Sequence, residues 1–276
     1  MKPSVLTLLL LLVLPVSAPA QDEEKKKPVF NGRMITLSDF GSEDLGYLSL
    51  PQRAPVGGLV LVSNQWGLNV RVKKLADDYA RQGYVTVAVD LFNGKQAKNK
   101  GEADRYMKEL RAESAVKTTL AGARVLKESP KFKVPYVGLV GIGIGGSVAL
   151  EAAKQDRDGL VNALGMIEGP LSLESRTLDN LRVPTLAVFA EGNAQIPRET
   201  FTNYERLLKG RNRDSQVVLL QAAPGFSEPT SPAYNRQQDL RAFSAVNSFM
   251  PAYLDKPPPE PGLIDEVKDK FQSIFD

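Results

Sequence analysis

The segment best equipped for chemistry runs from Val137 to Gly146, where an apolar stretch breaks into Gly141-Ile142-Gly143-Ile144-Gly145-Gly146. Two chemistries use glycines at a strand-to-helix step. One is a phosphate loop, in which backbone amides at a helix start approach a pyrophosphate. That loop belongs at the first strand of its domain and wants an acidic residue about 20 positions on. Here the strand is about the fifth, and Glu168 comes slightly late. The other is the sharp turn G-x-nucleophile-x-G that lifts an attacking atom above a sheet. Gly141 and Gly145 flank it correctly, but its centre is Gly143, which has no attacking atom.

The residue types that are absent narrow the options further. The 276 residues include no cysteine and no histidine. Thiolate chemistry, disulfides and imidazole as base or metal ligand are therefore excluded, and neither a metal nor a cofactor is expected. The other groups able to act are Ser63, Ser147 and Ser227 as relocated nucleophiles, Lys95 as the base of a serine–lysine pair, and Glu168 with Glu191 as an acid–base pair. For the serines the competing reading is a cap or a solvated hydroxyl. For the glutamates it is two exposed carboxylates in polar loops. The net charge of +3 is too small to argue for nucleic acid as a partner.

These groups need a scaffold, and the apolar pattern supplies one. Strands are expected at about 33–38, 46–50, 57–63, 84–90, 137–141, 161–167, 184–190 and 216–220. Helices are expected from Asn69 to Gly83, over one long stretch at about 102–128, and at about 144–154, 198–209 and 233–249. In the first of these, Val72, Leu75, Ala76 and Tyr79 recur at helical spacing behind Asn69, a capping residue. Strands alternating with helices imply an α/β fold with a mostly parallel sheet of about eight strands, covered on both faces. Ligands bind beyond the carboxyl ends of such strands. That points to loops 64–69, 91–95, 142–146, 168–171, 191–197 and 222–227.

Several of these segments resemble the dienelactone hydrolase family of α/β-hydrolases, over roughly residues 33–250. Gly58-Leu59-Val60-Leu61-Val62 followed by Asn64-Gln65-Trp66-Gly67-Leu68-Asn69 is similar to that family's third strand and next loop. Arg81-Gln82-Gly83-Tyr84 through Val89-Asp90-Leu91-Phe92 is similar to its helix end and fourth strand. The Gly141–Gly146 turn, Ala190–Pro197 and Ala222–Phe226 complete the series in the family's order.

The resemblance implies a hydrolase, and it also implies where this chain departs from one. Gly143 stands at the nucleophile position, Asn193 at the acid position and Pro224 at the histidine position. Asn64 stands where some members keep a glutamate. A triad works as a unit, and none of its parts is present. What the resemblance leaves is a backbone oxyanion site at the amides of Gln65 and Ile144, bordered by Asn64 and Trp66, for a small anionic or carbonyl ligand. Trp66 can equally be a packing residue at the sheet edge. Three expectations follow: a non-catalytic binding protein, a hydrolase with relocated residues, or a structural subunit of a larger complex.

The ends of the chain are of other kinds. Lys2, the apolar run Val5–Val16 and Ser17-Ala18-Pro19-Ala20 read as a signal peptide over 1–20, with an uncleaved anchor as the alternative. Export to the periplasm or the extracellular space is expected, with no membrane insertion once the signal is removed. Residues 21–32 read as a flexible charged linker and 33–255 as the domain. Residues 256–276 read as a proline-rich linker and a helix that places Leu263, Val267, Phe271 and Ile274 on one face. That helix either packs back on the domain or binds a protein partner.

Overall fold

The computed structural model describes residues 30–132, 134–192 and 196–256. The expected signal peptide, most of the N-terminal linker, Asn193 and the C-terminal helix lie outside them.

Each strand of the sheet's centre is a run of apolar residues buried on both faces, as a parallel strand between helices requires. In β3 (Gly57–Val62), Leu59 and Leu61 enter one core while Val60 and Val62 enter the other. The other strands are β1 (Arg33–Thr36), β2 (Leu45–Ser49), β4 (Tyr84–Val89), β5 (Val137–Ile142), β6 (Ala163–Ile167), β7 (Thr185–Ala190) and β8 (Gln216–Leu220). They form one eight-stranded sheet in the order β1-β2-β4-β3-β5-β6-β7-β8. β1 and β2 pair antiparallel to each other, β2 pairs antiparallel to β4, and all later pairings are parallel. This is the α/β-hydrolase arrangement expected from the sequence.

The helices are α1 (Val70–Arg81), α2 (Lys100–Glu109), α3 (Ala112–Glu128), α4 (Ile144–Gln155), α5 (Arg198–Arg211), α6 (Arg236–Phe249) and the short α7 (Pro251–Leu254). Residues of α1, α6 and α7 build one core with Leu59, Leu61 and Val140. Residues of α3, α4 and α5 build the other with Val60, Val62 and Leu139. Asn69 caps α1 by accepting from the Val72 amide at 3.1 Å. Asn99 and Asn235 cap α2 and α6 in the same way.

Two expected boundaries are corrected. The stretch 102–128 is two helices, because Leu110 and Arg111 are extended, at φ −65°, ψ 120° and φ −88°, ψ 114°. Leu110 packs on the core from that break. β6 starts at Ala163 rather than near Val161, because Val161 donates to Asp156 and Asn162 accepts from the Val137 amide, both outside the ladder.

At the amino ends of the strands the sheet is closed by α7. A Cβ on Gly57 or Gly138 would lie 3.0 Å from Leu254 atoms. The carboxyl ends, by contrast, carry the polar loops.

Candidate functional site

β5 delivers its last residue, Ile142, to the middle of the carboxyl edge, and the chain then turns at once into α4. Gly143 makes that turn at φ 56°, ψ −122°, a region open to glycine and costly to other residues. Its amide donates to Ile167 O at 2.8 Å, and its carbonyl accepts from the Gly146 amide at 2.9 Å. The flanking glycines serve a different end. A Cβ on Gly145 would sit 2.2 Å from Val62 O, and one on Gly141 would sit 2.3 Å from Gly145 O. Gly145 presses the turn against β3, and Gly141 lets the start of α4 fold back on the end of β5, so neither position has room for a side chain. At Gly143 itself there is room, the nearest atoms being Asn64 Cβ at 3.5 Å and Gln65 Oε1 at 3.8 Å.

The loop after β3 lies alongside. Asn64 folds it by accepting from the Trp66 amide at 3.1 Å, and Asn64 O accepts from Gly67 at 3.1 Å. The amides of Gln65 and Ile144 are left without a hydrogen-bond partner among the described residues. Ile144 opens the 12-residue α4, so the positive end of that helix dipole faces the same place. Donors held in this way suit an oxyanion, a carboxylate or a polarised carbonyl.

Of the two bordering residues, Asn64 is buried and already engaged. Its Nδ2 donates to Glu228 Oε2 at 2.5 Å. Trp66 follows an interior strand, so it is not at a sheet edge, and its indole Nε1 is buried without a partner among the described residues.

The opposite wall is the loop after β8, and it is built on a residue that local patterns do not reveal. Glu168, directly after β6, adopts φ +52°, a strained value for a side chain. Its carboxylate accepts from the Gly225 amide at 2.5 Å, from the Ser227 amide at 3.1 Å and from Ser227 Oγ at 2.5 Å. Pro224, the residue expected at the histidine position, lies exposed beside this clamp and offers neither donor nor base. Phe226 anchors the loop from below, fully buried. The bases of both walls are joined by Arg71 of α1 and Asp239 of α6, 2.6 Å apart. Burial raises the Asp239 carboxyl above its usual range, and Arg71 opposes that rise.

The remaining candidates do not assemble. Glu168 and Glu191 form no pair, since Glu191 is bound to Arg198. Glu168 is a loop clamp rather than an exposed carboxylate, and with its oxygens so engaged it is not free for the part the phosphate-loop reading asks of it. Ser227 is buried on Glu168, and Ser63 is fully buried with an unpartnered hydroxyl, so neither is a cap or a solvated group. Ser147 lies within α4. Lys95 reaches Glu109 at 3.3 Å and no serine. No group of histidine, cysteine, aspartate and glutamate side chains able to hold a metal occurs among the described residues.

The model of the dienelactone hydrolase family matches residues 45–254. The chain is 25% identical to Protein usf of Aquifex pyrophilus over 231 residues, covering 81% of this chain and 99% of that one. It is 28% identical to a carboxymethylenebutenolidase homolog of Mus musculus over 167 residues, covering 57% of this chain and 65% of that one. Among solved structures, a dienelactone hydrolase-like promiscuous phosphotriesterase from metagenomic libraries superposes with a TM-score of 0.68 at 19% identity. That alignment covers 82% of this chain and 100% of the other.

Proposed function

The chain belongs to the dienelactone hydrolase family, and from that premise we propose that it is a member that binds a small ligand at the family's site without hydrolysing it. The observation that carries this reading is Gly143 at φ 56° in the turn where the nucleophile would stand. The backbone of the site is in place, and the attacking atom is not. Pro224 and the absence of histidine remove the base as well. The ligand is a carboxylate or another small anionic or carbonyl compound held by the amides of Gln65 and Ile144, with the Gln65 side chain beside it and Trp66 on its border. No cofactor is required for this role.

Carboxylate titration followed by amide NMR tests the proposal. The Gln65 and Ile144 signals are expected to shift together and saturably. Steady turnover of an activated ester, with fluorophosphonate labelling of Ser63, Ser147 or Ser227, would overturn it in favour of a relocated hydrolase. If neither turnover nor ligand shifts occur, the reading as a structural subunit takes its place.

The pattern of residues 1–20 supports export to the periplasm or the extracellular space, with cleavage after Ala20. Intact-mass measurement on protein from the native host tests that part, and a mass retaining residues 1–20 counts against it. Among the described residues no helix is long and apolar enough to cross a membrane.

A further inference from the structure

On the face of the sheet that carries α1 and α6, the two helices leave a groove of about 1070 Å³ between them. Its walls include Val70 and Leu75 from α1 and Leu240 and Phe243 from α6. Leu240 is 60% exposed and Val70 44%, both large apolar side chains facing the same channel. The groove is also basic. Arg71 and Arg81 are paired with Asp239 and Asp78, while Lys74 and Arg236 have no ion-pair partner among the described residues.

We propose that this groove is the docking site for the chain's own residues 263–275, lying as a helix antiparallel to α1 and α6. The groove and the segment match in pattern, charge, length and position. Leu263, Val267, Phe271 and Ile274 fall on one face of a helix, as an occupant of an apolar channel requires. Residues 263–275 carry Asp265, Glu266 and Asp269 against Lys268 and Lys270, a small negative balance facing a groove in which Lys74 and Arg236 have no ion-pair partner among the described residues.

A helix over 263–275 would be roughly 20 Å long, the length of α1 or α6 at 1.5 Å per residue. The described chain ends near the right place. Leu254 packs on Gly57 at the foot of β3, and the Asp255 charge acts on Tyr84, whose ring meets Tyr79 at the lower end of α1. Residues 257–262, extended as their prolines dictate, reach roughly 18 Å, enough to bring Leu263 to the lower mouth of the groove. Both helices start immediately after the loops that wall the site, so a docked segment ties those walls together from behind.

The chain has no cysteine, which makes a cross-linking test clean. In the full chain, Leu240→Cys is combined in turn with Val267→Cys and Phe271→Cys and treated with a short bismaleimide at low protein concentration. At least one pair is expected to give an intramolecular product as the main species. Leu173→Cys, 46% exposed on a loop that packs toward the other core, is expected to give none with either partner. Hydrogen exchange supplies a second readout. The amides of 263–275 are expected to exchange at least tenfold faster when the exposed Leu240 is changed to Asp. Equal cross-linking from Leu173, cross-linked dimers in place of monomers, or unchanged exchange in Leu240→Asp would each overturn the proposal. The dimers would assign the groove to a second copy of the chain.

Discussion

The turn after β5 and the loop after β8 face each other across the same site, and they have fared differently. The turn keeps its whole geometry, since its working parts are backbone. Gly143 holds φ 56°, Gly145 allows the close approach to β3, Gly141 allows α4 to start against the end of β5, and the Ile144 amide has no partner among the described residues. By the family resemblance the loop's working part is a side chain, and Pro224 is the residue expected at that position. Its order now comes from Glu168, a carboxylate that binds two backbone amides and a serine hydroxyl. A function written in backbone survives substitution in a way that a function written in side chains does not. On the proposed reading, the site is a set of backbone donors beside a loop that Glu168 holds in place.

The sharpest way to break this comparison is at the turn. Gly145→Ala places a methyl 2.2 Å from Val62 O and 2.5 Å from Ser63 O, both backbone atoms of β3 and its end. Neither can step aside without moving the central strand. A loss of at least about 3 kcal/mol in chemical denaturation is expected, at the severe end of overpacking. A neutral result would mean that the turn is not pressed on β3.

Glu168→Ala tests the loop. It leaves the Ser227 amide and hydroxyl without their acceptor in a buried position, and a loss of about 2 kcal/mol is expected. Faster amide exchange should be confined to residues near 222–228. Glu168→Gln keeps an acceptor and is expected to cost about half as much. If exchange quickens over the whole domain instead, Glu168 is not a local clamp.

Gly143→Ala isolates the backbone term. The nearest atoms to the new methyl are 3.5 and 3.8 Å away, ordinary contact distances, so only the positive φ is penalised. The expected loss is about 1–2 kcal/mol, distinctly smaller than for Gly145→Ala. Gly143→Ser is expected to behave alike and to gain no esterase activity, because the chain has no histidine to act as its base.

These contrasts also separate what was visible in the sequence from what was not. The glycine turn was readable because its signal is local, a buried run meeting glycines at a helix start. The central strands were readable for the same reason. The break between α2 and α3 was not, since Leu110 and Arg111 are good helix formers, and the extended backbone there accompanies Leu110 packing on the core. Glu168 was noticed only as an acid of suitable position. Its partners lie 57 and 59 residues away, and the bond from Asn64 to Glu228 spans 164. No local pattern encodes such pairs. The turn could be expected from its glycines and from the resemblance, whereas the clamp on the opposite wall required the fold.

The smallest effect is expected next to the turn, at Ser63, and with the opposite sign. Ser63 directly follows β3 and is fully buried, and its hydroxyl has no hydrogen-bond partner among the described residues. Burying an unsatisfied hydroxyl costs free energy that a methyl in its place does not. Ser63→Ala should therefore stabilise the unliganded domain by about 0.5–1 kcal/mol, a gain where every other substitution at the site gives a loss. Its effect on binding then discriminates between two roles. If the hydroxyl is idle, carboxylates shift the Gln65 and Ile144 amides in Ser63→Ala as they do in the parent. If it reaches a bound ligand, the variant is more stable when empty but titrates with weaker affinity, because the ligand satisfies a group that the empty site leaves unpaired. A loss of stability in Ser63→Ala would show that the hydroxyl already has a partner when the site is empty. The site would then depend on side chains as well as backbone, against the comparison with the loop after β8.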